Sequence, residues 1–123
     1  MNKFLITFMM FLFSFNVNAQ KATQHTEKGN WTATYYGNHY KGHRKTANGD
    51  TFNMYAMTCA APKCYKFGTK LKVTNLKNNK SVIVTVTDRG AFGNRTIDLT
   101  YGAFGKIASY RDGRIKIKVQ VVK

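Results

Sequence analysis

Carboxylates are scarce in this chain of 123 residues. It has five, Glu27, Asp50, Asp88, Asp98 and Asp112, against twenty lysines and arginines. Chemistry that needs a side-chain acid therefore has few places to reside. Cysteine is nearly as rare, with only Cys59 and Cys64. A Cys-x4-Cys pair is half of a metal site at most, and no second pair or nearby histidine completes one, so neither a metal nor any other cofactor is expected. The chain also lacks the ~20 consecutive apolar residues needed to cross a bilayer. Its longest apolar run is the twelve residues Phe4 to Phe15. That run follows Met1-Asn2-Lys3 and precedes Asn16-Val17-Asn18-Ala19, the layout of a secretion signal cut after Ala19. No cysteine near that cut offers a lipid anchor.

The remainder, residues 20–123, is long enough for one domain with one core. Without Lys3 it keeps 19 basic residues against five acidic ones, a net charge of +14. Such a charge implies a polyanionic partner or surface. Export turns the expectation from nucleic acid toward anionic cell-wall polymer, and no helix-in-groove or RNP-like motif is present. Simple solubility is the plainer alternative. An oxidising compartment and close spacing favour a local disulfide between Cys59 and Cys64. The expected place of work is a periplasm or the outside of the cell, with the domain acting as a monomer.

Residues 20–29 are polar and without pattern, a lead-in to the domain of residues 30–123. Trp31 to Tyr36 is aromatic and β-branched, and reads as a strand. Gly37 to Gly49 is a long loop holding His39 and His43. Met54 to Cys59 reads as a short strand. Lys70 to Thr74 and Ser81 to Thr87 alternate or run apolar as strands, joined by a hairpin turn at Asn78-Asn79. Thr96 to Leu99 is a short strand, and Thr100 is an N-cap for a helix ending near Ala108. Arg114 to Val121 alternates to the end, its basic residues on the outer face. Six strands and one short helix at this spacing indicate a small, mainly β barrel or sandwich. Thr85-Val86-Thr87-Asp88 echoes Lys72-Val73-Thr74-Asn75, a hint of two similar halves.

Two of the five carboxylates stand out. Asp88 ends a strongly apolar strand just before Arg89-Gly90, and Asp98 lies between Ile97 and Leu99. A partly buried carboxyl has a raised pKa and can act as a general acid. The structural alternatives are an ion pair of Asp88 with Arg89 or Arg95 or a turn cap. For Asp98 the alternative is backbone hydrogen bonds at the helix start.

Ordered blocks in the chain carry a family resemblance. They are Tyr35-Tyr36-Gly37, then Gly42, then Thr46 to Thr58 (Thr-Ala-Asn-Gly-Asp-Thr-Phe-Asn-Met-Tyr-Ala-Met-Thr). Gly68 to Leu76, Ser81 to Val84, Asp88-Arg89-Gly90-Ala91-Phe92 and Arg95 to Thr100 follow in order. The sequence from about Trp31 to Val122 resembles the RlpA (rare lipoprotein A) family. The resemblance implies a six-stranded double-psi β-barrel. It implies a lytic transglycosylase that cuts peptidoglycan glycan strands between N-acetylmuramic acid and N-acetylglucosamine, leaving a 1,6-anhydro end. The family's catalytic Asp carries over onto Asp88. Its catalytic His does not carry over, because Ala61-Pro62 stand there and the Cys59–Cys64 loop occupies the segment. Asp98, His39 and His43 are the candidate accessory groups. Thr46 and Asn48 are kept and are expected to order the groove, with Tyr36 and Arg89 as further substrate contacts. Tyr35, Tyr36 and Tyr40 either stack on sugar rings or pack. The alternative function is an expansin-type module that grips wall polysaccharide without cutting it.

Overall fold

The computed structural model describes residues 30–37, 44–90, 93 and 95–123. The proposed signal and lead-in, Tyr40, His39 and His43 lie outside the described residues. Six strands form a closed barrel: β1 (Trp31–Tyr36), β2 (Thr58–Ala60), β3 (Lys70–Asn75), β4 (Ser81–Asp88), β5 (Thr96–Thr100) and β6 (Ile115–Val122). Their order around the ring is β1-β5-β2-β4-β3-β6. One helix, α1 (Tyr101–Ile107), and a 3-10 turn (Tyr110–Asp112) lie between β5 and β6.

The sequence alternation sets which face each strand buries. In β6, Ile115, Ile117 and Val119 are buried while Lys116 and Lys118 are exposed. In β3, Leu71 and Val73 are buried between exposed Lys70 and Lys72. These residues meet Val84, Val86, Ile97, Leu99, Phe104 and Ile107 in one core cluster. Fully burying a side chain of this size stabilises the fold by ~1.5–3 kcal/mol. Asn79 supplies the left-handed residue of the β3–β4 hairpin, with φ 60°, a conformation that asparagine tolerates well. Thr100 caps α1 through its hydroxyl, which accepts from the Ala103 amide at 3.2 Å.

Three expectations change. Met54 to Met57 is a turn, not a strand, and β2 begins only at Thr58. Asn53 Oδ1 takes the Tyr55 amide at 2.9 Å and so holds that backbone in a turn. The echo between β3 and β4 is not the internal repeat. Exchanging β1 with β4, β2 with β5 and β3 with β6 leaves all six pairings unchanged, including the parallel pairs β1/β5 and β2/β4. The two similar halves are therefore β1–β3 and β4–β6, and β3 corresponds to β6. The Cys59–Cys64 disulfide is absent, since both cysteines are free. Cys59 points into the core from β2 and Cys64 is on the exposed side of the turn that follows. Burial, then the charge of Asp98, pushes the Cys59 thiol up, against a smaller lowering by Arg89, and a thiol held protonated is a poor nucleophile.

Candidate active site

Strand parity alone would place Asp88 inside the barrel. Val84 and Val86 on β4 both point into the core, and period 2 puts residue 88 with them. The pairing with β2 prevents this. Cys59 is opposite Val86, but Ala60 is opposite Asp88, so the register slips by one residue between them. The extra residue, Thr87, makes a β-bulge, and a bulge re-aims the side chain that follows it. Asp88 consequently shares the outward face of Ala60, the neighbour of inward Cys59.

Asp98 reaches the same face from the other side. Ile97 and Leu99 are in the core, so Asp98 between them points outward, opposite Ala60 on the antiparallel side of β2. Ala60 thus separates the two carboxylates, whose backbones stand two strand spacings or about 10 Å apart. Both residues are only 7% exposed. The segment after β4 covers them: a Cβ added at Gly90 would lie 3.8 Å from that of Ala60 and 4.0 Å from that of Asp98.

Each carboxylate has its own partners. Asp88 Oδ1 accepts the amides of Ala47 at 3.0 Å and of its own neighbour Arg89 at 2.9 Å. Among the described residues its Oδ2 accepts only the Tyr36 hydroxyl, at 3.4 Å. Oδ2 is therefore the less engaged of the two carboxylate oxygens among the described residues. Asp98 Oδ1 accepts from Thr34 Oγ1 at 2.9 Å, across the parallel β1/β5 pair. Burial raises the Asp98 pKa, the Thr34 bond partly offsets this, and Asp88 adds to the rise. The Tyr36 hydroxyl is also pushed up, first by burial and then by the charges of Asp88, Asp98 and Cys59. Tyr36 is thus a neutral hydrogen-bond donor at working pH.

The loop before β2 completes the wall of this cleft. Thr46 donates to Asn48 Oδ1, which also takes the Asp50 amide at 3.1 Å. This turn aims the Asn48 amide at the Thr87 carbonyl, 3.0 Å away, and the Ala47 amide at Asp88. Thr46 and Asn48 hence order the cleft through the backbone. Phe52 closes the other side, its ring 5.2 Å from that of Tyr36 and tilted by 35°. Gly37 is required beneath it, because a Cβ there would meet the Phe52 ring at 2.3 Å.

Other expected contacts fall elsewhere. The Arg89 guanidinium turns away from Asp88 and donates to the carbonyls of Tyr65 at 2.9 Å and Ala61 at 3.3 Å, with its face 4.0 Å from the Phe67 ring. It clamps the turn that carries Cys64. Tyr35 packs between Phe104 and Tyr110 at 4.7 and 5.3 Å and lies partly buried against the core. Ala61, where the resemblance places the family's His, is fully buried, and its amide donates to the Asp88 carbonyl at 3.1 Å. Thr34 was not singled out by sequence. Its signal was present: Ala33 and Tyr35 face inward, so Thr32, Thr34 and Tyr36 share the outer face.

A family model described as lytic transglycolase matches residues 28–119. The chain belongs to this family. Similar proteins include a probable endolytic peptidoglycan transglycosylase RlpA of Synechocystis, 45% identical over 92 residues. The match covers 74% of this chain and 28% of that relative. Another is the endolytic peptidoglycan transglycosylase RlpA of Pseudomonas aeruginosa, 44% identical over 72% of this chain and 26% of its own. The chain thus spans about a quarter of the length of these curated relatives. An uncharacterised Synechocystis protein is 44% identical and is matched over 92% of its length. Among solved structures, the Streptomyces papain inhibitor superposes with TM-score 0.65 at 20% identity, over 82% of this chain and 97% of that one. A Clavibacter michiganensis expansin superposes with TM-score 0.64 at 22% identity, over 80% of this chain and 51% of that one. These likenesses agree with the RlpA-like double-psi barrel. No helix among the described residues is long and apolar enough to cross a membrane.

Proposed function

We propose that this barrel is a lytic transglycosylase of the cell envelope, acting on peptidoglycan glycan strands with Asp88 as the catalytic residue. The observation that carries the reading is the bulge-directed Asp88. One of its oxygens is held by two backbone amides, and among the described residues the other accepts only a tyrosine hydroxyl. Asp88 protonates the glycosidic oxygen, and the bond from the muramoyl C1 to that oxygen breaks. The muramoyl 6-hydroxyl oxygen then bonds to C1, and its proton returns to Asp88. The acid is regenerated, a 1,6-anhydro ring is formed and no water is consumed. One carboxyl thereby serves as acid and then base, the economical solution where Ala61 stands in place of a histidine. Tyr36 and Thr34 orient the two carboxylates. Asp98 is the second acidic group of the cleft and opposes build-up of negative charge beside Asp88. We place the domain outside the cytoplasm as a monomer, released by cleavage after Ala19.

The test is digestion of purified, peptide-stripped glycan strands with mass spectrometry of the products. Wild type is expected to give anhydro-ended sugars, and Asp88→Asn to lower their rate by at least ~100-fold, the low end of general acid–base contributions. His39→Ala and His43→Ala are expected to retain the rate. Binding of the strands without anhydro product would refute cleavage and leave the expansin-type reading.

A further inference from the structure

Much of the excess positive charge lies away from Asp98 and Ala60. Exposed Lys70 and Lys72 on β3 and exposed Lys116 and Lys118 on β6 occupy one outer face of the barrel. The strands pair antiparallel, with Lys72 opposite Gln120 and Thr74 opposite Lys118. Around the ring, β3 and β6 lie across the barrel from β5 and β2, which carry Asp98 and Ala60. A glycan strand seated on Asp88 and Asp98 does not lie along this face.

The lysine stripe ends at a cavity of about 430 Å³, a size typical of small-ligand sites. Lys77, Arg114 and Lys116 line it together with Asp112, Leu76 and Ile115. Arg114 donates to the Thr32 hydroxyl at 3.3 Å. Among the described residues none of the three cations, nor Asp112, is in an ion pair. Leu76 is 54% exposed. A polymer with only negative charge would meet Asp112 as a repelling group. A ligand that satisfies every wall carries carboxylates, an ammonium group and short apolar side chains, which is the chemistry of a short peptide with a free carboxyl end and a diamino acid.

Resting on the reading of the barrel as a wall enzyme, we infer that this cavity binds the peptide stem of peptidoglycan. Lys77, Arg114 and Lys116 take its carboxylates, Asp112 takes its ammonium group, and Leu76 covers its apolar side chains. The barrel then holds one wall strand by its stem while the opposite face works on another.

The experiment titrates the chain with a synthetic stem peptide that ends in a diamino acid, by NMR at low salt. Lys77→Glu combined with Arg114→Glu is expected to weaken binding about tenfold or more, as for charged contacts in a pocket. Asp112→Asn is expected to weaken it by a smaller factor, and the carboxyl-amidated peptide not to bind wild type. Cleavage of stem-stripped strands by the pocket variants is expected to stay at the wild-type rate. Equal binding of the amidated peptide would overturn the inference. So would tighter binding by Asp112→Asn, or an equal loss in Lys70→Glu/Lys72→Glu, which lies outside the cavity. If Asp88→Asn leaves cleavage intact while the peptide still binds, the catalytic reading alone has failed.

Discussion

Gly102→Ala adds one methyl group at a place where a second segment of backbone is already in contact. Helix α1 has seven residues and two of them are glycine, although glycine in a helix interior costs about 1 kcal/mol relative to alanine. A Cβ at residue 102 would stand 2.8 Å from both Cα and O of Tyr55 and 3.0 Å from its carbonyl carbon. Ordinary contact begins at 3.4 Å, so the turn must retreat by about 0.6 Å, the kind of shift that overpacking forces at ~1–3 kcal/mol. That turn is tied in place by Gly102 N to the Met54 carbonyl at 2.8 Å and by Thr100 Oγ1 to the Ala56 carbonyl at 2.6 Å. A backbone obstruction held by two hydrogen bonds belongs at the upper end of the range. Subtracting the helix-propensity gain leaves a net loss of ~1–2 kcal/mol. For a domain of this size the melting temperature should fall by roughly 5–15 °C. The same shift moves Phe52 away from Tyr36, so glycan cleavage measured well below the melting point should fall as well. A variant that melts at or above the wild-type temperature would show that the 53–56 turn yields freely and would refute the packing argument.

Asp98→Asn should stabilise the fold in a pH-dependent way. The folded pKa of Asp98 is raised above its ordinary 3.8, so the folded state binds more protons than the unfolded chain above that pH. Wild-type stability therefore falls as pH rises from 3.8 through the folded value and then levels off. The variant lacks this loss and keeps an acceptor for Thr34; denaturant melts at pH 3 and pH 7 should show its advantage only at pH 7. Tyr36→Phe removes a single bond of 3.4 Å and should reduce cleavage less than tenfold, far less than Asp88→Asn, in the same product assay. Arg89→Ala frees the Ala61 and Tyr65 carbonyls and the Phe67 ring. A loss of ~2–3 kcal/mol is expected in urea unfolding, as for buried bonds to a charged group. Because both cysteines are free, the melting temperature should be the same with and without a reductant; a drop on reduction would mean the bond forms after all.

Residue patterns specified most of the barrel. Alternation in Lys70–Asn75 and Ile115–Val122 states both the strand and its buried face, because a strand between core and solvent must alternate. Thr100 announced the helix start because its hydroxyl is suited to an orphan amide. The cleft was less legible. Asp88 and Asp98 were recognisable as unusual carboxylates in apolar strands, but their relation through Ala60 depends on which strands the ring places side by side. Arg89 was visible as a neighbour of Asp88, while the direction of its guanidinium was not. The cysteine spacing suited a disulfide, and only the inward aim of Cys59 opposes one. The basic face of β6 was visible as alternation; the cavity where it meets Lys77 and Asp112 depends on chain segments far apart in sequence.

Residue types and their spacing establish that carboxylates are few, that six strands and one helix share one core, and that most of the positive charge lies outside it. Those are local properties, set by residue type and by a period of two or 3.6. Tertiary structure alone decided which way Asp88 points. Counted along β4 it belongs with Val84 and Val86 in the interior, and only the one-residue slip against Cys59 and Ala60 turns it outward to Asp98 and Tyr36. A register slip is a property of two paired strands, so neither strand's sequence carries it alone.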